Sequence, residues 1–261
     1  MSRPVITLTT DWGTKDHYLA SVKGCIMKNI PDSTIMDISH EIIPFDLNEA
    51  SYILRNTWKS FPEGTIHIVG VNSEASIEHP HVIIKENGHF FIGADNGIFS
   101  LIFDRTPEEI YELDIIQESN KFTFSTKDVF VQAALHIVNK KPLAELGDRL
   151  EDLHNKMAFQ PVTEEDLIKG KVIYIDRYEN VVTNISESLF NEMTKGKKFS
   201  IFLRAGKYEL KKIHASYSDV VEGELVAVFG SDNLLEIAQN RGRAAGLLGI
   251  QIDDVIRIEI K

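Results

Sequence analysis

The chain has 261 residues, of which 43% are hydrophobic and 26% are charged, with one cysteine and a formal net charge of −11. The single cysteine excludes an internal disulfide, no run of Lys or Arg is long enough to follow a phosphate backbone, and no apolar stretch approaches the roughly 20 residues that span a bilayer. Because no signal-peptide pattern is present either, we expect a cytoplasmic globular protein with neither nucleic acid nor a membrane as partner.

Short strand-like runs alternate with helical patterns over the first 160 or so residues. The predicted strands are Val5–Leu8, Thr34–Ile38, Thr65–Val71, Val82–Lys85 and His89–Gly93. The predicted helices are Tyr18–Ile30, Asn48–Phe61 and Lys127–Asn139. Cys25 falls among apolar residues of the first helix, so we interpret it as a core residue rather than a nucleophile. The alternation is typical of βαβ units and predicts an α/β domain with a largely parallel central sheet.

The character of the chain changes at the polar, acidic stretch Gln160–Asp166, which we interpret as part of a linker over residues 161–168. Beyond it lie short strand-like runs separated by turn residues: Lys171–Ile175, Val181–Ile185, Phe199–Arg204, Tyr208–Lys212, Leu225–Phe229 and Val255–Ile260. Such spacing favours a small barrel or sandwich. The sequence therefore predicts an α/β domain over residues 1–160 and a smaller all-β domain over 169–261.

Two carboxylates, Asp11 and Asp16, come just after the first predicted strand, beside Trp12 and Gly13. Ligands of open α/β sheets bind at strand ends, and a carboxylate there can accept hydrogen bonds from a pair of ligand hydroxyl groups. For Asp16 the alternative is a helix cap, since Asp favours helix starts and a helix is predicted two residues later. Spacing alone leaves both interpretations open.

General catalytic motifs do not decide the function. The candidate metal ligands are Asp11, Asp16, His17, Asp37, His40, Glu41, His79 and His81. They form no His-Glu-x-x-His pattern, no cysteine pair and no EF-hand loop, so we predict no metal site. No glycine-rich phosphate loop follows a strand, and no Gly-x-Ser-x-Gly elbow is present.

Several separated segments carry a more specific pattern, in order along both halves of the chain. They are Thr9–Tyr18, Val22–Gly24, Asp37–His40, Phe61–Thr65, Ala94–Gly97, Asp176–Ile185, Tyr217–Asp219 and Gly230–Asn240. Together these segments resemble the S-adenosyl-L-methionine hydroxide adenosyltransferase family, whose relatives include the fluorinase and chlorinase enzymes. The resemblance covers nearly the whole chain.

This resemblance implies a fold, an assembly and a reaction. The fold is an N-terminal α/β domain followed by a C-terminal β-barrel, and the assembly is a homotrimer whose sites lie between one subunit's N-terminal domain and its neighbour's C-terminal domain. In the reaction a nucleophile displaces methionine from the C5′ carbon of S-adenosylmethionine, without a cofactor. Water or hydroxide as the nucleophile yields adenosine and L-methionine.

The resemblance also implies substrate contacts in both domains. Asp11 would hold the ribose hydroxyls, two aromatic and two amide side chains would contact the nucleoside, and two further residues would face the amino and carboxylate ends of methionine. The nucleoside contacts are Phe124, Asn180, Tyr217 and Asn240, and the methionine contacts are Asp16 and Ser231. Core packing of the two aromatic residues and a turn role for Asn180 remain the alternatives.

Three positions depart from the family pattern. Its hydrolases typically show an Asp-Pro-Gly-Val-Gly segment with an Arg seven residues after the Asp, and a His after Phe in a later Thr-Phe-His-Gly-Arg-Asp segment. Asn72, His79 and Ser125 stand at the three water-positioning places here. The halogenases place Tyr and Thr where this chain has Asn72 and Ala75, so we do not expect a halide site.

We therefore expect a hydrolase in which another group serves the water. His79, or the nearby Glu74 or Glu78, would orient or deprotonate it, and the sulfonium leaves as a neutral thioether that needs no acid. One alternative is a protein that binds S-adenosylmethionine or adenosine but has lost catalysis. Another is a metal-assisted hydrolase, whose activity chelation would abolish.

Overall fold

The computed structural model describes residues 3–115, 124–203 and 206–261, and the chain divides into two compact units, Met1–Met157 and Ala158–Lys261. Each unit has its own apolar core. Within the described ranges, every helix is too short or too polar to cross a membrane.

The N-terminal unit alternates strands and helices as the sequence predicts. Its elements are β1 Val5–Thr10, α1 His17–Asn29, β2 Thr34–Ser39, α2 Leu47–Arg55, a 3-10 turn Trp58–Ser60, β3 Ile66–Gly70, β4 His81–Glu86, β5 His89–Ala94, α3 Ile98–Ile102, β6 Glu109–Glu112, a π-helical turn Thr126–Phe130, α4 Val131–Val138 and a 3-10 turn Leu143–Glu145. The predicted helix over 48–61 thus ends at Arg55, and the one over 127–139 starts as a π-helical turn.

The six-stranded sheet of this unit has the order β2-β1-β3-β5-β4-β6 and is mixed. The three pairings among β2, β1, β3 and β5 are parallel, whereas β4 runs antiparallel to both β5 and β6. The expectation of a largely parallel sheet is corrected accordingly. The reason is local: Asn87 and Gly88, both at positive φ, join β4 to β5 in a two-residue hairpin, which only antiparallel strands can share.

Helices cover both faces of this sheet. Ile6 and Leu8 of β1 contribute to a core with α1 and α4, while residues of β3 and β5 that point to the opposite face pack with α2 and α3. Cys25 packs against the first core, and burial raises the pKa of its thiol. That environment confirms the interpretation of Cys25 as a core residue.

The C-terminal unit is built around an antiparallel sheet. Its elements are β7 Val162–Glu164, β8 Leu167–Ile175, β9 Val181–Ser186, α5 Glu187–Thr194, β10 Phe199–Leu203, β11 Tyr208–Leu210, a 3-10 turn Tyr217–Asp219, β12 Leu225–Phe229, β13 Leu234–Gln239, α6 Ala244–Leu248 and β14 Val255–Ile260. The order is β11-β10-β14-β8-β9-β13-β12, with β7 beside β8, and a bridge between Ile213 and Ala227 brings the outer edges together. The sheet is therefore nearly closed.

Two expectations for this half need correction. The unit is not all-β, because it contains α5, whose N-terminus is capped by the Ser186 hydroxyl, and α6. The linker predicted over 161–168 holds β7 and the start of β8, which pair as a hairpin. The sequence does not reveal this strand, because all three residues of β7 are exposed and the strand therefore has no buried apolar face. The predicted strand end at Arg204 lies outside the described residues.

Candidate functional site

The carboxyl ends of three parallel strands meet at one edge of the N-terminal sheet. Asp11 follows β1, Asn72 comes two residues after β3, and Asp95 follows β5 directly. Thr10 pairs with Gly70 in the register of β1 and β3, so the first two strand ends lie side by side. Because ligands of α/β sheets bind at this edge, it is the candidate site of the N-terminal unit.

The turn after β1 is held rigidly at this edge. Asp11 Oδ2 accepts a hydrogen bond from the main-chain N–H of Phe45 at 2.9 Å. Gly13, at a φ of 64° that favours glycine, donates its N–H to the carbonyl of His40 at 2.7 Å. The Thr10 hydroxyl also contacts His40 Nδ1 at 2.8 Å. Asp11 is therefore a partly exposed carboxylate with a defined position.

An aromatic cluster stands beside Asp11. The ring centroid of Phe124 lies 5.5 Å from that of Trp12 and 5.4 Å from that of Tyr18, both edge to face. Trp12 in turn covers the end of β3, where a Cβ on Gly70 would come within 2.7 Å of the indole. The structure thus brings Phe124 to the strand end that carries Asp11, although 113 residues separate them in the sequence.

Asp16 occupies the N-cap position of α1. Its backbone is extended, as an N-cap requires, but its side chain makes no capping hydrogen bond and is exposed to solvent. The helix-cap interpretation therefore fits the place of Asp16 but not the bond that a cap would make. Its carboxylate is accessible to a ligand.

The loop after β3 connects Asn72 with the segment that contains Ser125. The Asn96 amide donates to the carbonyls of Val71 and Asn72 at 3.2 and 2.9 Å. The Ser73 hydroxyl lies 3.2 Å from that of Thr126, next to the buried Ser125. Two of the three altered family positions are therefore neighbours at this edge.

His79, the third altered position, contacts a different part of the same edge. Its Nδ1 lies 3.1 Å from the main-chain oxygen of Asp95, and its ring centroid lies 4.6 Å from that of His154, at 90°. His79 is partly buried, whereas Glu74 and Glu78 are exposed. The structure therefore distinguishes the imidazole from the two carboxylates that the sequence offers for the same role.

Asp95 anchors this group, although the sequence analysis assigns it no individual role. Its side chain is buried, with Oδ2 accepting the main-chain N–H of His154 at 2.8 Å. Among the described residues its Oδ1 has no hydrogen-bond partner. Burial raises the pKa of the Asp95 carboxyl, and the His154 N–H partly offsets the rise. The signal that could have found it is its place in the Ala94–Gly97 family segment.

In the C-terminal unit, the predicted amide contacts Asn180 and Asn240 lie at the same end of the paired strands β9 and β13. Both are engaged locally: the Asn180 side chain donates to Asp176 Oδ2 at 3.1 Å and that of Asn240 to the Val220 carbonyl at 2.7 Å. Ser231 lies in the turn before β13, at its opposite end. The structure of this unit therefore does not bring Ser231 to the two amides.

Tyr217 is joined to an acidic residue that sequence reasoning missed. Its hydroxyl donates to Glu236 Oε1 at 2.8 Å, and Glu236 is only 8% exposed. Burial raises the pKa of the Glu236 carboxyl, and the charges of Asp176 and Asp232 add to the rise. Burial and the Glu236 carboxylate likewise raise the pKa of Tyr217. The available signal was one acidic residue inside the apolar run of β13.

A metal site and a separate cavity are the two alternatives to a candidate site at this edge of the sheet, and both are less well supported. In residues 3–115, 124–203 and 206–261, no three His, Cys, Asp or Glu side chains are grouped to hold a metal ion. A cavity of about 1060 Å³ lies at the amino ends of the parallel strands, with Pro4, Ile66 and Phe90 in its wall. It contains no predicted site residue, and it faces away from the strand ends at which ligands of such sheets bind.

Comparison with known proteins identifies the family. The SAM hydroxide adenosyltransferase N-terminal domain matches residues 6–147 and its C-terminal domain matches residues 170–257. The chain is 29% identical to the (R)-S-adenosyl-L-methionine hydrolase of Methanocaldococcus jannaschii, covering 97% of this chain and 95% of the relative. It is 26% identical to the fluorinase of Nocardia brasiliensis, covering 93% and 92%.

A solved structure supports the same relationship. The crystal structure of an uncharacterized conserved protein from Thermotoga maritima superposes with a TM-score of 0.86 and 30% identity, covering 97% of this chain and 99% of that one. The similarity therefore extends over both units in sequence and in fold. The chain belongs to the SAM hydroxide adenosyltransferase family.

Proposed function

We propose that the protein hydrolyses S-adenosylmethionine to adenosine and L-methionine, without a cofactor. Water or hydroxide attacks C5′ of the ribose, and methionine leaves through its sulfur. The observation that carries the proposal is Asp11, fixed at the carboxyl edge of the N-terminal sheet beside the aromatic cluster of Trp12, Tyr18 and Phe124. Family membership over both units supplies the reaction.

The chemistry of these side chains suits a nucleoside. The Asp11 carboxylate accepts hydrogen bonds from ribose hydroxyls, and aromatic rings pack against a purine. In the C-terminal unit, Glu236 accepts a hydrogen bond from Tyr217 and Asp176 accepts one from Asn180, so acidic groups lie beside two proposed nucleoside contacts and suit a substrate that carries a sulfonium and an ammonium group. Asp16 and Ser231 remain proposed contacts of the methionine ends, and Asn240 of the nucleoside.

The altered positions Asn72, His79 and Ser125 do not prevent this reaction on chemical grounds. The sulfonium leaves as a neutral thioether, so the leaving group needs no acid. Alignment and desolvation of the water then supply much of the rate. His79, Glu74 or Glu78 would orient or deprotonate the water.

We also infer a homotrimer with a barrel-like C-terminal domain, in which neighbouring subunits complete each other's sites. Family membership and the nearly closed C-terminal sheet support this inference. Light scattering on the purified chain should give about three times the 29.5 kDa mass of one subunit. A stable monomer that is fully active would contradict it.

The second candidate function is binding of S-adenosylmethionine without turnover. It is favoured by the change of all three family positions that hold the water in hydrolases. Incubation with S-adenosylmethionine in halide-free and in chloride-containing buffer, with products separated by chromatography, distinguishes the two. Adenosine and methionine in both buffers would support hydrolysis, whereas 5′-chloroadenosine that forms only with chloride would replace water by halide. Saturable binding without product would support the binding protein.

A further inference from the structure

We propose that Nε2 of His79 takes the proton from the attacking water, and that His154 is the positioning residue that fixes the His79 ring. This inference rests on the proposed hydrolysis and assigns the base within it. Its basis is the contact geometry of His79, Asp95 and His154, three residues that only the folded chain brings together.

The contact of His79 with Asp95 defines the tautomer of the ring. Nδ1 lies 3.1 Å from the main-chain oxygen of Asp95, and a carbonyl oxygen only accepts hydrogen bonds. Nδ1 must therefore carry the hydrogen in the neutral ring. Nε2 then has the free lone pair, which is the form that a general base requires.

His154 and Asp95 hold this ring in place. The His154 ring stands perpendicular to that of His79 with the centroids 4.6 Å apart. The main-chain N–H of His154 donates to the buried Asp95 carboxylate at 2.8 Å, so the His154 backbone and the His79 ring are held by the same residue. The main-chain N–H of His79 also donates to the Ser76 hydroxyl at 3.0 Å, which closes the turn before it. His79 is thus positioned from both its backbone and its ring.

The His79 ring lies at the carboxyl edge of the sheet, where Asp11 follows β1 and Asn72 follows β3. Asp95 and Asn96 follow β5, and the Asn96 amide binds the carbonyl of Asn72 at 2.9 Å. Glu74 and Glu78 belong to the same loop, but within the described part of the chain neither carboxylate is held by a hydrogen bond or an ion pair. A positioned base gains more rate than a mobile one, which favours His79.

The step balances with these groups alone. The water oxygen forms a bond to C5′, the C5′–S bond breaks with its electron pair going to sulfur, and the water proton passes to Nε2. Among the described residues, the imidazolium that forms lies beside two titratable groups, Asp95 and His154. Solvent later takes the proton from the imidazolium.

Steady-state kinetics of four variants across pH test the inference. The variants are His79→Ala, His154→Ala, His154→Phe and, as a control in α4 whose ring contacts the Pro142 carbonyl, His136→Ala. We expect His79→Ala to lower kcat by about 100-fold or more, with little change in KM, and to remove the decline of the rate toward acidic pH. His154→Ala should lower kcat about tenfold by loosening the ring, and His154→Phe should restore most of it because a ring remains.

The outcomes separate this inference from the proposed function. A wild-type protein without turnover overturns both. A wild-type protein with turnover, combined with a His79→Ala variant that keeps full kcat or the same acidic decline, overturns only the assignment of His79. A His154→Phe variant no better than His154→Ala overturns the positioning role. Circular dichroism and thermal unfolding should show that the variants fold as the wild type does.

Discussion

The N-terminal unit holds two histidine pairs in contrasting environments, His79 with His154 at the edge of the sheet and His67 with His89 inside it. His67 is fully buried, with Nδ1 2.7 Å from the Thr7 hydroxyl and Nε2 3.1 Å from His89 Nδ1. Both of its ring nitrogens are thus occupied. His79, partly exposed, uses one ring nitrogen in its contact with the Asp95 carbonyl.

These environments distinguish a structural histidine from one that can act as a general base. Burial lowers the pKa of His67 to about 3, with the neighbouring His89 adding to the decrease, so the ring is neutral at physiological pH. It stacks on Phe91 with the centroids 4.7 Å apart and behaves as a hydrogen-bonded core residue. A base instead needs an accessible nitrogen whose lone pair is not already in use.

The largest expected effect is a loss of stability when His67, a member of the buried pair His67 and His89, is replaced by alanine. We expect His67→Ala to lower the free energy of unfolding by about 3–5 kcal/mol, because it leaves a cavity beside Phe91 and removes the partner of Thr7 and His89. Urea denaturation at pH 7.5 measures this, with His136→Ala as the control. A loss below about 1 kcal/mol would contradict a structural role.

The inner pair also makes stability depend on pH. The folded-state pKa values of His67 and His89 lie below the value of about 6.5 for an unfolded histidine. The unfolded chain therefore binds more protons below that pH, and the free energy of unfolding should fall as pH decreases from about 6.5 toward 3.

Above about pH 7 the contribution of the two histidines is fully present and constant. Urea denaturation at a series of pH values should show a fall of up to about 1.4 kcal/mol per pH unit for each histidine. The His136→Ala variant should show the same slope. A free energy of unfolding that stays level down to pH 5 would mean that the buried rings accept protons in the folded state.

A substitution of Asp11 tests whether the sheet edge binds the substrate. Asp11→Asn keeps an oxygen that accepts the Phe45 N–H but removes the carboxylate charge, so we expect about tenfold weaker binding of S-adenosylmethionine with nearly unchanged stability. Isothermal titration calorimetry measures the Kd. Unchanged affinity would assign Asp11 to turn formation alone.

The smallest expected effect is on the stability of the outer pair. His79→Ala should change the free energy of unfolding by no more than about 0.5 kcal/mol, because the ring is partly exposed and contributes a single hydrogen bond, to a main-chain carbonyl. Urea denaturation of the His79→Ala and His67→Ala variants under the same conditions compares the two stability changes directly. Equal destabilisation by the two variants would erase the distinction between the pairs.

Local patterns in the sequence predicted the main elements of the fold and the strand end at which the candidate site lies. The apolar run before Asp11 is a strand, the helix that contains Cys25 lies on its core, and the family segments in both halves match the family found by comparison. These features depend on near neighbours in the chain, whose spacing encodes which face is buried and where a strand ends. The polar edge strand β7 carries no such signal, and its composition predicts a linker instead.

What the sequence alone determined is therefore the alternation of elements, the family pattern and the placing of Asp11 at a strand end. The partial exposure of His79 and the burial of His67 come instead from long-range contacts in the folded chain. The tertiary structure joins His79 to Asp95 and His154, Tyr217 to Glu236, and His67 to His89 across separations that no local pattern records. A histidine ring becomes buried, and its nitrogens become occupied by hydrogen bonds, through contacts between strands and loops. These contacts exist only once the chain has folded.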